Sequence, residues 1–206
     1  MVRSTAAPGG SARPLLLLAP GAGAPSASAW MEGWAERLAT LGEVVRFDYP
    51  YAKAGRRSPD PLRVLLEAHR AALEEARARH PGPAVLVGKS MGGRVGCHLA
   101  LEEAIAALVC LGYPLRSPRG ELRDEVLVAL RTPVLFVQGS RDPLCPLELL
   151  ERVRGRMTAP TALHVVEGGN HSLELGARAL AARGETQADV DGRVLAAVAA
   201  FLRDRR

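Results

Sequence analysis

The stretch VLVGKSMGGRV, residues 85–95, places the tightest constraint on the fold. An apolar run ends in glycine, lysine and serine, and the chain behind it turns helical. Two chemistries share such a pattern. Gly-Lys-Ser closes a phosphate-binding loop, whereas Gly-x-Ser-x-Gly presents a nucleophilic serine on a sharp strand-to-helix turn. The phosphate loop requires a glycine five residues before Gly88, where Pro83 stands, and Gly82 is off by one. It also requires residues 84–87 to curl around an anion, yet Ala84–Val87 reads as a strand. The elbow reading fits throughout. Gly88 and Gly92 flank Ser90, Ala84–Val87 supplies the strand, and a helix over Met91–Glu103 directs its positive end at the serine.

The rest of the chain supports an α/β organisation. Strands are expected at Pro14–Leu18, Val44–Phe47, Ala84–Val87, Ala107–Leu111, Pro133–Val137 and Leu163–Val166. Most are continuous apolar runs, as in a parallel sheet covered on both faces. Helices are expected at Ala29–Leu41, Pro61–Arg79, Met91–Glu103, Glu121–Leu130, Pro146–Arg156 and Asp189–Arg203. In the second of these, Leu62, Leu65, Leu66, His69, Leu73 and Ala76 share one face, with charged residues opposite. Leu173–Ala188 reads either as a helix or as a loop. No repeat and no second composition regime divides the 206 residues, so one domain is expected over 1–206, with 1–13 a flexible N-terminus.

A serine needs a base and an acid to become a nucleophile. Behind an elbow serine the acid and then the histidine follow in chain order. His69, His80 and His98 lie in helices or at their ends and read as packing or surface residues, and His164 lies within a strand run. His171 follows that strand on the loop EGGNHSLE, which makes it the expected base. Asp142, in TPVLFVQGSRDP, leaves the C-terminal end of a strand, where open α/β sheets gather their chemistry. Its rival Asp124 falls in a charged helical segment and reads as solvated. Two backbone N–H groups are expected to hold an oxyanion. One belongs to Met91, behind the nucleophile, and the other to Ala22, in the glycine loop Pro20–Ala24 after the first strand.

Composition excludes other classes. The net charge is +5, but 27 basic residues are interspersed with 22 acidic ones, and aromatic residues are few. A nucleic-acid surface is therefore not expected. The run Leu15–Ala19, cut by Pro20, is too short for a signal peptide or a membrane span. Cys97, Cys110 and Cys145 form no paired framework, which suggests a reducing, cytoplasmic setting. Cys97 and Cys110 are expected in the core and Cys145 in a more accessible loop.

GKSMGGR (88–94), RFDYPY (46–51), GRRSPD (55–60), QGSRDP (138–143) and GGNHSL (168–173) together resemble a family of small α/β hydrolases. The family includes bacterial dienelactone-hydrolase-like proteins and a scaffold subunit of an animal histone acetyltransferase complex. The resemblance runs from about residue 14 to the C-terminus and implies a compact α/β-hydrolase fold: a mostly parallel sheet of about six strands, helices on both faces and a minimal lid. It places Ser90, Asp142 and His171 at the triad positions. Two motifs depart from the family. Pro20-Gly21-Ala22-Gly23 stands where it carries His-Gly-Ala-Gly, and Gly169-Asn170-His171 where it carries Gly-Asp-His.

The expected activity is hydrolysis of small-molecule esters or thioesters, with no cofactor, no metal, and neither nucleic acid nor membrane as partner. The alternative is a binding or scaffold protein on the same fold. Arg56, Arg57, Arg116 and Arg119 fall in loops that read mainly as solvated surface. About twenty residues separate the fourth and fifth strands, enough for one short helix, so a shallow, open site is expected.

Overall fold

The computed structural model describes residues 13–117 and 119–204. The expected flexible N-terminus therefore lies outside the described residues, apart from Arg13. Six strands form one all-parallel sheet: β1 (Leu15–Ala19), β2 (Glu43–Arg46), β3 (Ala84–Lys89), β4 (Ala107–Leu111), β5 (Val134–Gly139) and β6 (Thr161–Val166). Their spatial order is β2-β1-β3-β4-β5-β6, with every neighbouring pair parallel.

The continuous apolar runs conceal an alternation that becomes visible only in the packing. Leu15 and Leu17 of β1, Leu86 of β3 and Phe136 of β5 face a core formed with α3 (Leu62–Arg79), α4 (Met91–Leu99), α5 (Glu125–Ala129) and α6 (Leu147–Arg154). Leu16, Leu18, Val85, Val87 and Val137 face the opposite core, formed with α1 (Ala29–Leu38) and α8 (Gln187–Arg203). Both sheet faces are thus covered, which is why these strands carry no polar face. Two short helices complete the chain, α2 (Pro50–Lys53) and α7 (Ala177–Arg183). The fold is the expected α/β-hydrolase arrangement.

Several boundaries differ from expectation for identifiable reasons. The helix expected over Glu121–Leu130 shrinks to α5. Ahead of it the Ser117 hydroxyl accepts from the amides of Arg119 and Glu121, and Arg116 and Leu122 form an antiparallel bridge. A local side-chain turn has displaced the first helical turns. Asp124, expected to be solvated, is 7 % exposed at the N-cap position of α5 and pairs with Arg156 at 2.5 Å. The ambiguous segment Leu173–Ala188 contains α7 and then the start of α8. Thr186 and Asp189 cap α8 reciprocally, a Thr-x-x-Asp signal visible in the sequence. Cys145, expected to be accessible, is fully buried. Cys97 and Cys110 are buried as expected, with their sulfurs 3.8 Å apart.

The elbow depends on missing side chains. A Cβ on Gly92 would lie 2.5 Å from the carbonyl oxygen of Ala19 and 2.7 Å from that of Pro20. On Gly88 it would lie 2.1 Å from the Gly93 nitrogen. Helix α4 therefore packs against β1 and β3 backbone to backbone. Gly92→Ala is expected to destabilise the protein by about 1–3 kcal/mol or more through overpacking. Gly192→Ala, on the exposed face of α8 with nothing near its Cβ position, should stabilise it by about 0.5–1 kcal/mol. Denaturant melts of the two variants test this opposition in sign. An unchanged midpoint for Gly92→Ala would show that the elbow has slack.

Candidate active site

Ser90 sits between the last residue of β3 and the first of α4, at φ 48° and ψ −113°. A serine rarely adopts such a backbone; the turn is imposed by the strand and helix on either side. Its side chain rises at the C-terminal edge of the sheet. There β5 ends in Gly139, and the turn after it carries Asp142, which is 3 % exposed. The loop after β6 brings His171 across the same edge. A Cβ on Gly112, the residue after β4, would lie 2.4 Å from the His171 carbonyl oxygen, so only a glycine lets this loop lie so low.

The three side chains meet. His171 Nε2 lies 2.7 Å from Ser90 Oγ, and His171 Nδ1 lies 2.7 Å from Asp142 Oδ2. Ionised Asp142 only accepts, so Nδ1 carries the proton and Nε2 is left to accept from the serine hydroxyl. Asp142 is held from two more directions. Its Oδ1 accepts from the Leu144 amide at 2.9 Å, and its Oδ2 accepts from Gln138 Nε2 at 2.5 Å. Gln138 Oε1 in turn accepts from the Tyr113 amide at 3.0 Å. Gln138 belongs to none of the triad or oxyanion positions expected from the sequence; its only local signal is an amide side chain at the end of an apolar strand, which needs partners once buried.

Asn170 Oδ1 accepts from the amides of Ser172 (2.7 Å) and Glu174 (3.0 Å), closing the turn on which His171 stands. The departure from Asp to Asn therefore keeps the acceptor the turn uses. Lys89, unassigned from the sequence, donates from Nζ to the His171 carbonyl and lies 5.2 Å from the centre of the Trp30 ring. Trp30 Nε1 donates to the Ser172 carbonyl at 3.0 Å. Two neighbouring carbonyls of the histidine loop are thus pinned from one side. Burial pushes the Lys89 amine down to about 8, against the pull of Asp142 and Glu174.

Ala22 lies on the glycine loop beside Ser90; a Cβ on its neighbour Gly21 would lie 3.5 Å from Ser90 Cβ. The Tyr51 hydroxyl holds both sides of this loop, donating to the Gly21 carbonyl and accepting from the Gly23 amide, each at 3.3 Å. Arg46 donates to the Ser26 carbonyl and Asp48 accepts from the Ser26 amide, both at 2.6 Å. The RFDYPY motif thus acquires a physical role as the tether of the loop that carries Ala22. Met91 is the first residue of α4, so its N–H has no acceptor within the helix.

The remaining histidines lie outside this cluster. His69 is fully buried, 3.2 Å from the Tyr49 hydroxyl, and burial pushes it down to about 3, so it packs as a neutral ring. His164 lies within β6, where burial lowers its pKa.

Two hollows meet at Ser90. One, of about 470 Å³, is lined by Trp30, Lys89, His171, Ser172 and Glu174 among others. The second, of about 360 Å³, lies on the Met91 side and is lined by Leu62, Leu65, Pro114 and three arginines. Of the four loop arginines singled out in the sequence, Arg116 lines this second hollow. Among the described residues no group of His, Cys, Asp and Glu is arranged to hold a metal ion, and no helix is long and apolar enough to cross a membrane.

The family model for an alpha/beta hydrolase domain matches residues 12–203. Solved structures share the fold at low identity. The RedJ thioesterase of the prodiginine biosynthetic pathway in Streptomyces coelicolor is 22% identical, with a TM-score of 0.67 over 97% of this chain and 96% of that one. Est1E from Butyrivibrio proteoclasticus is 16% identical, with a TM-score of 0.67 over 95% and 89%. An alpha-beta serine hydrolase homologue from Coxiella burnetii is 20% identical, with a TM-score of 0.65 over 76% of each chain.

Proposed function

This chain belongs to the alpha/beta hydrolase domain family, and on that footing we propose that it is a serine hydrolase of small esters or thioesters. The observation that carries the proposal is the unbroken chain Asp142–His171–Ser90, with both links at 2.7 Å. In the proposed reaction Ser90 Oγ attacks the substrate carbonyl carbon and His171 Nε2 takes its proton. Asp142 stabilises the imidazolium and keeps its orientation. The oxygen that becomes negative is held by the N–H groups of Met91 and Ala22. Loss of one such donor typically costs about 2.7–4 kcal/mol. His171 then returns the proton to the departing alcohol or thiol, and water, activated the same way, releases the acid and frees Ser90.

The esterase and thioesterase chemistry named for the structural neighbours supports an acyl substrate. Three buried free thiols agree with a reducing, cytoplasmic setting.

The test is covalent. A fluorophosphonate probe should label the purified protein, with the adduct mapping to Ser90 by peptide mass spectrometry. Failure to label under conditions that label a control esterase would overturn the proposal in favour of a binding or scaffold protein on the same fold.

A further inference from the structure

The second hollow beside Ser90 combines an apolar lining, from Leu62, Leu65 and Met91, with a basic one, from Arg94, Arg116 and Arg123. None of these three arginines forms an ion pair among the described residues, although all four arginines of α3 do. The Nε of Arg94 is buried with no hydrogen-bond partner. Arg123 feels the crowding: burial and the nearby Arg94 both lower its pKa. Asp60 is the one acid lining the hollow: its Oδ1 is paired with Arg56 at 2.6 Å and its Oδ2 is buried without a hydrogen-bond partner, so one carboxylate stands against three guanidinium groups. A buried donor without a partner and like charges facing a shared space are both costly unless an anion enters.

The scaffold holds the arginines in place. Arg94 lies one helical turn beyond Ser90 on α4, its amide bonded to the Ser90 carbonyl at 3.1 Å. One turn advances about 5–6 Å along the axis. Arg116 and Arg123 come from the bridged turn that displaced the start of α5. That turn is tied down by the Arg116 amide to the Leu144 carbonyl (2.7 Å) and by the Arg123 amide to the Leu115 carbonyl (2.8 Å).

The two hollows differ in what they offer a substrate. His171, which protonates the leaving group in the proposed reaction, lines the other one, where Lys89 and Glu174 bring one charge of each sign rather than three guanidinium groups. The arginine hollow is lined by Met91 and not by His171, which leaves it as the side open to the acyl portion.

We propose that the hollow lined by Arg94, Arg116 and Arg123 binds a carboxylate at the far end of the acyl chain, so that the substrates are half-esters or half-thioesters of short dicarboxylic acids. This rests on the serine-hydrolase reading for its chemistry, while the anion site itself can be tested without catalysis.

Three chromogenic or fluorogenic esters separate the cases, with spontaneous hydrolysis subtracted: the p-nitrophenyl monoester of adipic acid, the same ester with its free carboxylate capped as a methyl ester, and p-carboxyphenyl hexanoate, whose charge sits on the leaving group. The expected kcat/KM is at least tenfold higher for the adipate monoester than for its capped form. Arg116→Gln, an exposed position that should not disturb folding, and Arg94→Gln should each lower that ratio by about tenfold. Equal rates on the first two esters, a preference for the leaving-group charge, or an unchanged ratio in Arg116→Gln would each overturn the proposal.

Calorimetric titration of Ser90→Ala with monomethyl adipate supplies the second arm. Saturable binding that weakens about tenfold in the added Arg116→Gln background supports the site, and absence of binding overturns it. Ser90 labelling and turnover of the capped ester without an anion preference would sink this inference alone. Arginine-dependent binding without Ser90 labelling would sink the hydrolase reading and leave the anion site standing.

Discussion

Ser90→Ala is expected to abolish ester hydrolysis and probe labelling while leaving the melting curve close to that of the parent. Removing the nucleophile of a serine triad costs on the order of a millionfold in kcat. The substitution should fold because the elbow is fixed by its surroundings: Gly88 and Gly92 let α4 lie against β3 and β1, and the Ser90 amide is bonded to the Leu111 carbonyl at 3.1 Å. The strain at φ 48° remains with alanine, whereas glycine adopts that region freely. Ser90→Gly should therefore be as inactive as Ser90→Ala yet more stable by about 1 kcal/mol. Ester turnover surviving in a well-folded Ser90→Ala protein would remove Ser90 from the mechanism. Equal stabilities of the two variants would show that the elbow carries no strain.

The second large effect lies in the acid and base together. Asp142→Asn should lower kcat by roughly 10⁴-fold, the magnitude for a triad histidine held in the wrong tautomer. The structure gives the reason at atomic level. Leu144 N–H already donates to Oδ1, so the new amide must keep its oxygen there. Its NH₂ then faces both His171 Nδ1 and the Gln138 amide nitrogen, two groups that donate in the parent. The imidazole can adapt only by moving its proton to Nε2, where it no longer accepts from Ser90. His171→Ala should be at least as damaging. The double variant should be little worse than the worse single one, because members of a triad act as a unit. His164→Ala should keep most activity, and Asp124→Ala should lose stability, through its pair with Arg156, rather than activity. Effects of Asp142→Asn and His171→Ala that multiply in the double variant would show that the two residues do not work as one unit.

Much of this protein is legible in its sequence because the relevant signals are local. Val85–Val87 followed by Gly88, Ser90 and Gly92 specifies a strand, a tight turn and a helix from neighbouring residues alone. The runs on either side specify the order of strands and helices, and with it the expectation that Asp142 and His171 leave strand ends. Local signals also mislead where two of them compete. Glu121–Leu130 has a helical composition, but the Ser117 hydroxyl captures the amides at its start.

Tertiary structure alone decided what depends on segments far apart in the chain. Tyr51 holds the loop around Ala22, Gln138 braces Asp142 against the Tyr113 amide, and Lys89 and Trp30 pin the carbonyls of residues 171 and 172. Arg94 and the turn bearing Arg116 and Arg123 converge on one hollow. Asp124 and Cys145, polar or loop-bound in sequence, are buried. Periodicity reports which face of an element is apolar, but not which remote element covers it. That choice is made by the packing of two cores onto one sheet, and the packing sets which side chains meet at its edge.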